Sequence, residues 1–141
     1  MFTRLSLFLL LLVAGFATAS GQNCLEYGPV VSLNGTLSSR VFAGPPNYES
    51  VRRGDRKETA IILTLETATC TTATKTPADT FDVAETAIRE VQLVITTPAQ
   101  WKALKRLRGT PVTVTGTLFH AHTGHHRTKV LLSVAELNRK Q

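Results

Sequence analysis

The sequence predicts a mainly β fold, a five-stranded OB-like Greek-key barrel with one helix between strands 3 and 4. Three observations carry that expectation. Five segments alternate apolar and polar residues with period two. One segment between the third and fourth has helical spacing and marked ends. Two of the strands share a phrase, "LNGTL" and "VTGTL", with glycine in mid-strand. Glycine inside a strand marks a bend or a close approach of backbone, and a small barrel needs such bends. A sandwich would call for about seven strands, more than the pattern supplies.

In order, "VVSLNGTL" (30–37) sets Val31, Leu33, Gly35 and Leu37 on one face. "AIILTLE" (60–66) aligns Ile61, Leu63 and Leu65, and "VQLVI" (91–95) aligns Val91, Leu93 and Ile95. The helix follows in "TTPAQWKALKRLRG". Thr97 is its N-cap, Pro98 takes the first helical position, Gln100 closes a capping box and Gly109 stops it. Trp101, Leu104 and Leu107 form the expected buried stripe. Lys102, Lys105, Arg106 and Arg108 face water and complement the C-terminal end of the helix dipole. "PVTVTGTLF" (111–119) and "KVLLSVAEL" (129–137) complete the set, with Val112, Val114, Gly116 and Leu118 facing Val130, Leu132 and Val134. Two long connections remain, 38–59 and 67–90, the second with room for a helical turn from Val83 to Arg89.

The chain opens "MFTRLSLFLLLLVAGFATAS". One arginine, a short apolar run and Ala17-Thr18-Ala19 form an export signal cleaved after residue 19. The run is too short for a membrane span. Residues 20–141 are then one domain with no transmembrane segment. Its formal charge is +5, because the leader removes one arginine and no acid. That balance suits nucleic acid, anionic lipid or an acidic partner, and export argues against nucleic acid. Cys24 and Cys70, bound for an oxidising compartment, are expected to pair.

All four histidines fall in "HAHTGHHRT" (120–128). A two-residue turn at Thr123-Gly124 would set Leu118 against Lys129. A loop centred on Gly124 instead pairs Leu118 with Val130 and Gly116 with Leu132, and burial specifies register. In that register His120, His122 and His126 point inward at the barrel mouth, His125 stays in the loop, and position 127 faces outward. Three imidazoles and a water make a coordination set for zinc or copper. The plainer reading is a polar rim, and no Asp or Glu lies between Glu90 and Glu136 to orient a ligand.

Enzymatic activity is the weaker expectation. The sequence has no nucleophile elbow, no zinc-protease spacing and no phosphate-binding glycine loop, so a hydrolase ranks last. Asn47, Tyr48 and Arg52 of the first long connection, joined to His122, form the expected ligand-binding face. Arg53-Gly54-Asp55 and Asn34-Gly35-Thr36 spell an adhesion tripeptide and a glycosylation sequon, both short enough to arise by chance.

The phrases "CLEYGPVVSLNGTL", "GPPNYES", "GDRKET", "VQLVI" and "RGTPVTVTGTLFHAHTGHHRTKVLL" together resemble a family of secreted bacterial proteins, domain of unknown function 4431. The resemblance runs along the whole mature chain, with "GTLFHAHTGHH" its most specific stretch. Where the family often has a third histidine after the pair, this chain has Arg127. The resemblance implies a periplasmic or secreted bacterial protein and supplies no activity. The combined expectation is an exported, non-enzymatic binding module of the bacterial envelope, its partner a glycan or an exported protein. The alternative is a periplasmic metal-binding protein.

Overall fold

A computed structural model describes residues 23–73 and 81–141. The expected leader lies outside the described residues, as does part of the second long connection. The described residues are mainly β, with five strands and one α-helix: β1 (Val30–Ala43), β2 (Lys57–Thr71), β3 (Glu85–Val94), α1 (Pro98–Leu107), β4 (Pro111–His120) and β5 (Val130–Arg139). The strand order β1-β2-β3-β5-β4 closes on itself through a β1–β4 pairing. Every neighbouring pair is antiparallel except β3–β5, where α1 and β4 supply the crossover that a parallel pair requires.

Alternation builds the interior. Leu33 and Leu37 of β1 meet Ile61, Leu63, Val91, Leu93, Val114, Leu118 and Leu132, and Leu104 and Leu107 of α1 join the same core. The two mid-strand glycines sit where strands touch. A Cβ on Gly35 would lie 2.3 Å from the carbonyl oxygen of Thr64, and one on Gly116 would lie 2.1 Å from that of Ser133. Both obstacles are backbone of a neighbouring strand, so no rotamer change relieves them.

The strands run longer than the apolar pattern shows. β1 and β2 stay paired from Gly35↔Leu65 out to Ala43↔Lys57, well past the core. Backbone hydrogen bonds sustain that arm where side-chain alternation no longer marks it, and the first connection shrinks to residues 44–56. The helical turn expected from Val83 to Arg89 does not form, because β3 already begins at Glu85. Its start is held extended by side chains: the Thr71 hydroxyl accepts from the Glu85 amide at 3.1 Å, and the Tyr27 hydroxyl donates to the Val83 carbonyl at 2.8 Å.

The helix caps are as expected, with Thr97 and Gln100 exchanging both bonds of the capping box. Its buried stripe is not. Trp101 is 44 % exposed, while Leu104 and Leu107 are buried and Ala103 packs partly against the core. At 3.6 residues per turn, Ala103, Leu104 and Leu107 share one face and Trp101 stands about 100° round from it. Cys24 and Cys70 form the expected disulfide. It staples the segment before β1 to the end of β2, where the Leu25 amide donates to the Cys70 carbonyl at 2.8 Å.

Two outcomes follow. Gly35→Ala and Gly116→Ala should each destabilise the oxidised protein by about 1–3 kcal/mol, the usual range for overpacking, measured by urea unfolding. Replacing both cysteines by serine opens a closure with a sequence separation of 46 residues. That should remove roughly 4 kcal/mol on the chain-entropy model, read by the same method.

Candidate binding site

The site starts from one carboxylate. Asp55, 5 % exposed, accepts from the Asn47 amide at 2.9 Å and side chain at 3.2 Å through Oδ1, and from the Glu49 and Ser50 amides at 2.9 and 2.8 Å through Oδ2. These backbone bonds, from Ser50, Asn47 and Glu49 in that order, hold its carboxyl down at about 2. Asp55 is thus the internal peg of loop 44–56, and its place in an adhesion-like tripeptide is incidental. The peg also fixes Tyr48, whose φ of 59° lies in the left-handed region that a tyrosine adopts only under constraint.

Held this way, Tyr48 reaches the histidine loop. Its hydroxyl meets Nε2 of His125 at 3.2 Å, and the two rings stand edge to face with centroids 5.5 Å apart. Nδ1 of His125 faces Glu58 Oε1 at 2.9 Å. Nδ1–H donates to the carboxylate, which leaves Nε2 to accept from the phenol. Glu58 also receives Arg127 Nη2 at 2.7 Å. The His125 hydrogen bond, and after it that of Arg127, hold the Glu58 carboxyl below its ordinary range.

Arg127, expected to face outward, lies over the outer face but is covered there, its side chain only 11 % exposed. Besides Glu58 it donates to the Ala43 carbonyl at 2.9 Å, and its guanidinium carbon sits 5.2 Å from the Phe42 ring centroid and 5.5 Å from that of Tyr48. Gln92 of β3 pins the same loop on its other side. Its side chain accepts from the Arg127 amide at 2.5 Å and donates to the His125 carbonyl at 3.2 Å, while its own amide donates to Thr128 Oγ1 at 2.9 Å.

These tertiary bonds account for the hairpin register. The ladder pairs Leu118 with Leu132, Gly116 with Val134 and His120 with Val130, with a bulge between Thr115 and Gly116. The faces are those expected, but the partners lie two residues further along β5. The loop between the strands is tied to β2 and β3, so it does not turn as tightly as a free hairpin. Gln92 pairs laterally with Ile62 and Leu131, both buried yet outside the inner core, so the pinned loop rides over the outer face of β2, β3 and β5.

Between the loop and the strands is a cleft of about 290 Å³ lined by Glu58, Thr59, Ala60, Gln92, His125 and Arg127. A larger open groove of about 800 Å³ is lined by Asn34, Thr113 and the last residues of the chain from Asn138 to Gln141. It offers neither an aromatic nor an acidic side chain.

The residues predicted for binding are only partly brought together. Tyr48 joins the histidine loop, but through His125 and beside Gly124, where a Cβ would lie 3.1 Å from the ring. Asn47 is spent on Asp55, and Arg52 is exposed in the short turn Val51–Arg53. His122 lies against Phe81, Phe119 and His126, at ring centroid distances of 5.9, 6.0 and 4.6 Å.

Of the three predicted metal ligands, only His122 and His126 touch. Nδ1 of His126 accepts from the His122 amide at 3.0 Å, and burial, followed by the neighbouring His122 and His125, pushes the His126 imidazole pKa down. His120 stands apart, with Nδ1 toward the Ala121 carbonyl and Nε2 toward Glu85 Oε1, each at 3.1 Å. Both of its nitrogens face oxygen atoms of Ala121 and Glu85, so neither is turned toward His122 or His126. Among the described residues, no group of three or more His, Cys, Asp or Glu side chains is placed to hold a metal ion.

The fold and site together define a class: among the described residues, a closed five-stranded β protein with a cleft between the β4–β5 loop and strands β2 and β3. A family model described as "Domain of unknown function (DUF4431)" matches residues 90–138. This is the family that the sequence resembles. The matched stretch carries Gln92, α1 and the whole histidine loop, and loop 44–56 with Glu58 lies before it. No curated protein and no solved structure matches the chain.

The clamp should be acid-sensitive. Both Asp55 and Glu58 are held below their ordinary values, so each contributes stability in full above the unfolded carboxylate range. That contribution is lost as pH falls through the lowered folded values, about 2 for Asp55. Nuclear magnetic resonance contacts between the Tyr48 and His125 rings should persist at pH 5 and be lost by about pH 2, as the pH falls through the lowered carboxylate values. In Asp55→Asn they should be weak at both.

Proposed function

We propose that this is an exported, OB-like binding module of the bacterial envelope that takes a glycan in the cleft under loop 121–129, with loop 44–56 at its edge. One observation carries the reading. In the OB class, ligands lie on the face of strands 2 and 3 between the loop joining strands 1 and 2 and the loop joining strands 4 and 5. The cleft here is lined from β2, β3 and the β4–β5 loop, and Tyr48 of the β1–β2 loop stands against His125 at its edge. The analogy is one of fold, and the site chemistry has to support it independently.

It does so in two ways. Planar polar groups, the Glu58 carboxylate, the Gln92 amide and the Arg127 guanidinium, are already fixed by mutual hydrogen bonds, so binding spends little entropy on ordering them. Tyr48 and His125 add aromatic surface at the edge, and His125 is 58 % exposed. The Cys24–Cys70 disulfide is compatible with an oxidising compartment. Among the described residues, no helix is long and apolar enough to cross a membrane.

The test is retention of the oxidised protein on immobilised peptidoglycan fragments and lipopolysaccharide-derived oligosaccharide. His125→Ala and Tyr48→Ala should each weaken retention at least tenfold, while His122→Ala should leave it within twofold. If neither glycan retains the unmodified protein and an exported protein is captured through the same residues, the ligand is a polypeptide and the glycan reading is wrong.

A further inference from the structure

The exposed indole of Trp101 has no role in the core or in the clamp. It is the only tryptophan in the chain and stands on the outward side of α1. Around it are Lys102, Lys105, Arg106 and Arg108, all exposed. On the helix, Lys105 follows Trp101 at a spacing of four and so lies along the same line, with Lys102 beside it, and Arg108 is the residue that caps the C-terminal end.

None of these four cations has an ion pair among the described residues, whereas Arg40, Arg53, Arg127, Lys129 and Lys140 all pair with glutamates. No acid occurs in the sequence from Val91 to Ala135. The helix dipole accounts for Lys105 and Arg106 in the last turn. It accounts for neither Lys102, nearer the start, nor the indole.

We propose that the outward face of α1 is a docking surface for anionic lipid headgroups, with Trp101 seated at headgroup depth and the four cations on the phosphates. Indole is at home where one side is apolar and the other wet, and lysine and arginine stems lie along apolar surface while their heads stay in water. A convex helix face with one protruding ring and flexible cations fits a deformable, uniformly charged surface. A folded acidic partner would need a pocket for the ring. With ten residues and two leucines turned into the core, α1 lies on such a surface and does not enter it. The surface is independent of the cleft.

The experiment uses the oxidised chain 20–141 and vesicles of phosphatidylcholine, alone or with one third phosphatidylglycerol. Trp101 itself reports. Its emission should shift to the blue and the protein should sediment with the anionic vesicles only, and 1 M salt should abolish both effects. Each neutralised cation should lower partitioning about fivefold, so Lys102→Gln with Lys105→Gln should lower it roughly twenty-five-fold. These positions are exposed, and an unchanged circular dichroism spectrum confirms that the fold is kept.

Trp101→Ala should weaken sedimentation with every cation retained. Equal binding to neutral vesicles would overturn the proposal, as would anionic binding that the double variant leaves unchanged. So would a blue shift with polyglutamate but not with vesicles, which would make the partner an acidic polypeptide.

Discussion

Glu58 is the contact on which the two halves of the candidate site rest. It lies near the start of β2, opposite Phe42 in the β1–β2 ladder, and is thus fixed by backbone at the rim of the sheet. One carboxylate holds both His125 and Arg127, two residues apart in a loop that arises on the far side of the sheet. Because Arg127 also covers Phe42 and Tyr48, the acid draws the β4–β5 loop across the outer face and onto the β1–β2 loop in one arrangement. Exposed ion pairs are worth little singly. Here the geometry is shared among an arginine with little exposure, a backbone carbonyl and the Gln92 amide, so its members constrain one another.

The other half of the clamp is rigid for a separate reason. Asp55 closes loop 44–56 on itself through four hydrogen bonds within the loop, and so Tyr48 is presented toward its partner. The left-handed backbone at Tyr48 is the cost, met by the amide bonds that converge on Asp55 from either side of it. A hydroxyl, an imidazole and a carboxylate in line also orient the imidazole. In the neutral imidazole, with Glu58 taking Nδ1–H, the Nε2 lone pair of His125 faces the phenol.

The β architecture was legible because burial writes itself into alternation. The inward positions of the five strands, the helix caps and the disulfide all rest on local rules that tertiary structure left alone. Trp101 was misread because its spacing to Leu104 and Leu107 reads as one stripe, and the helix turned Ala103 inward instead. The strand extensions were missed because backbone pairing beyond the core leaves no apolar signature. Strand parity fixed which faces β4 and β5 present but could not give their partners, since Gln92 and Glu58, distant in sequence, set where the loop ends. The one local clue to the clamp was Gly54-Asp55 after a polar stretch, inside the tripeptide that the reading weighed only as an adhesion motif and set aside as chance.

The histidines now divide by partner. His120 belongs to Glu85, which Lys129 first and His120 second hold below its ordinary pKa, and it thereby joins β3 to the end of β4. His122 and His126 pack with Phe119 as an aromatic cluster behind the loop. His125, the one that parity set aside as a solvent-facing loop residue, is the only one in contact with both β2 and the β1–β2 loop. A histidine-rich hairpin is chemically suggestive when its residues are counted as a group. Its function depends instead on which acids the fold sends to meet them, and the fold sends Glu58 to His125, beside the cleft.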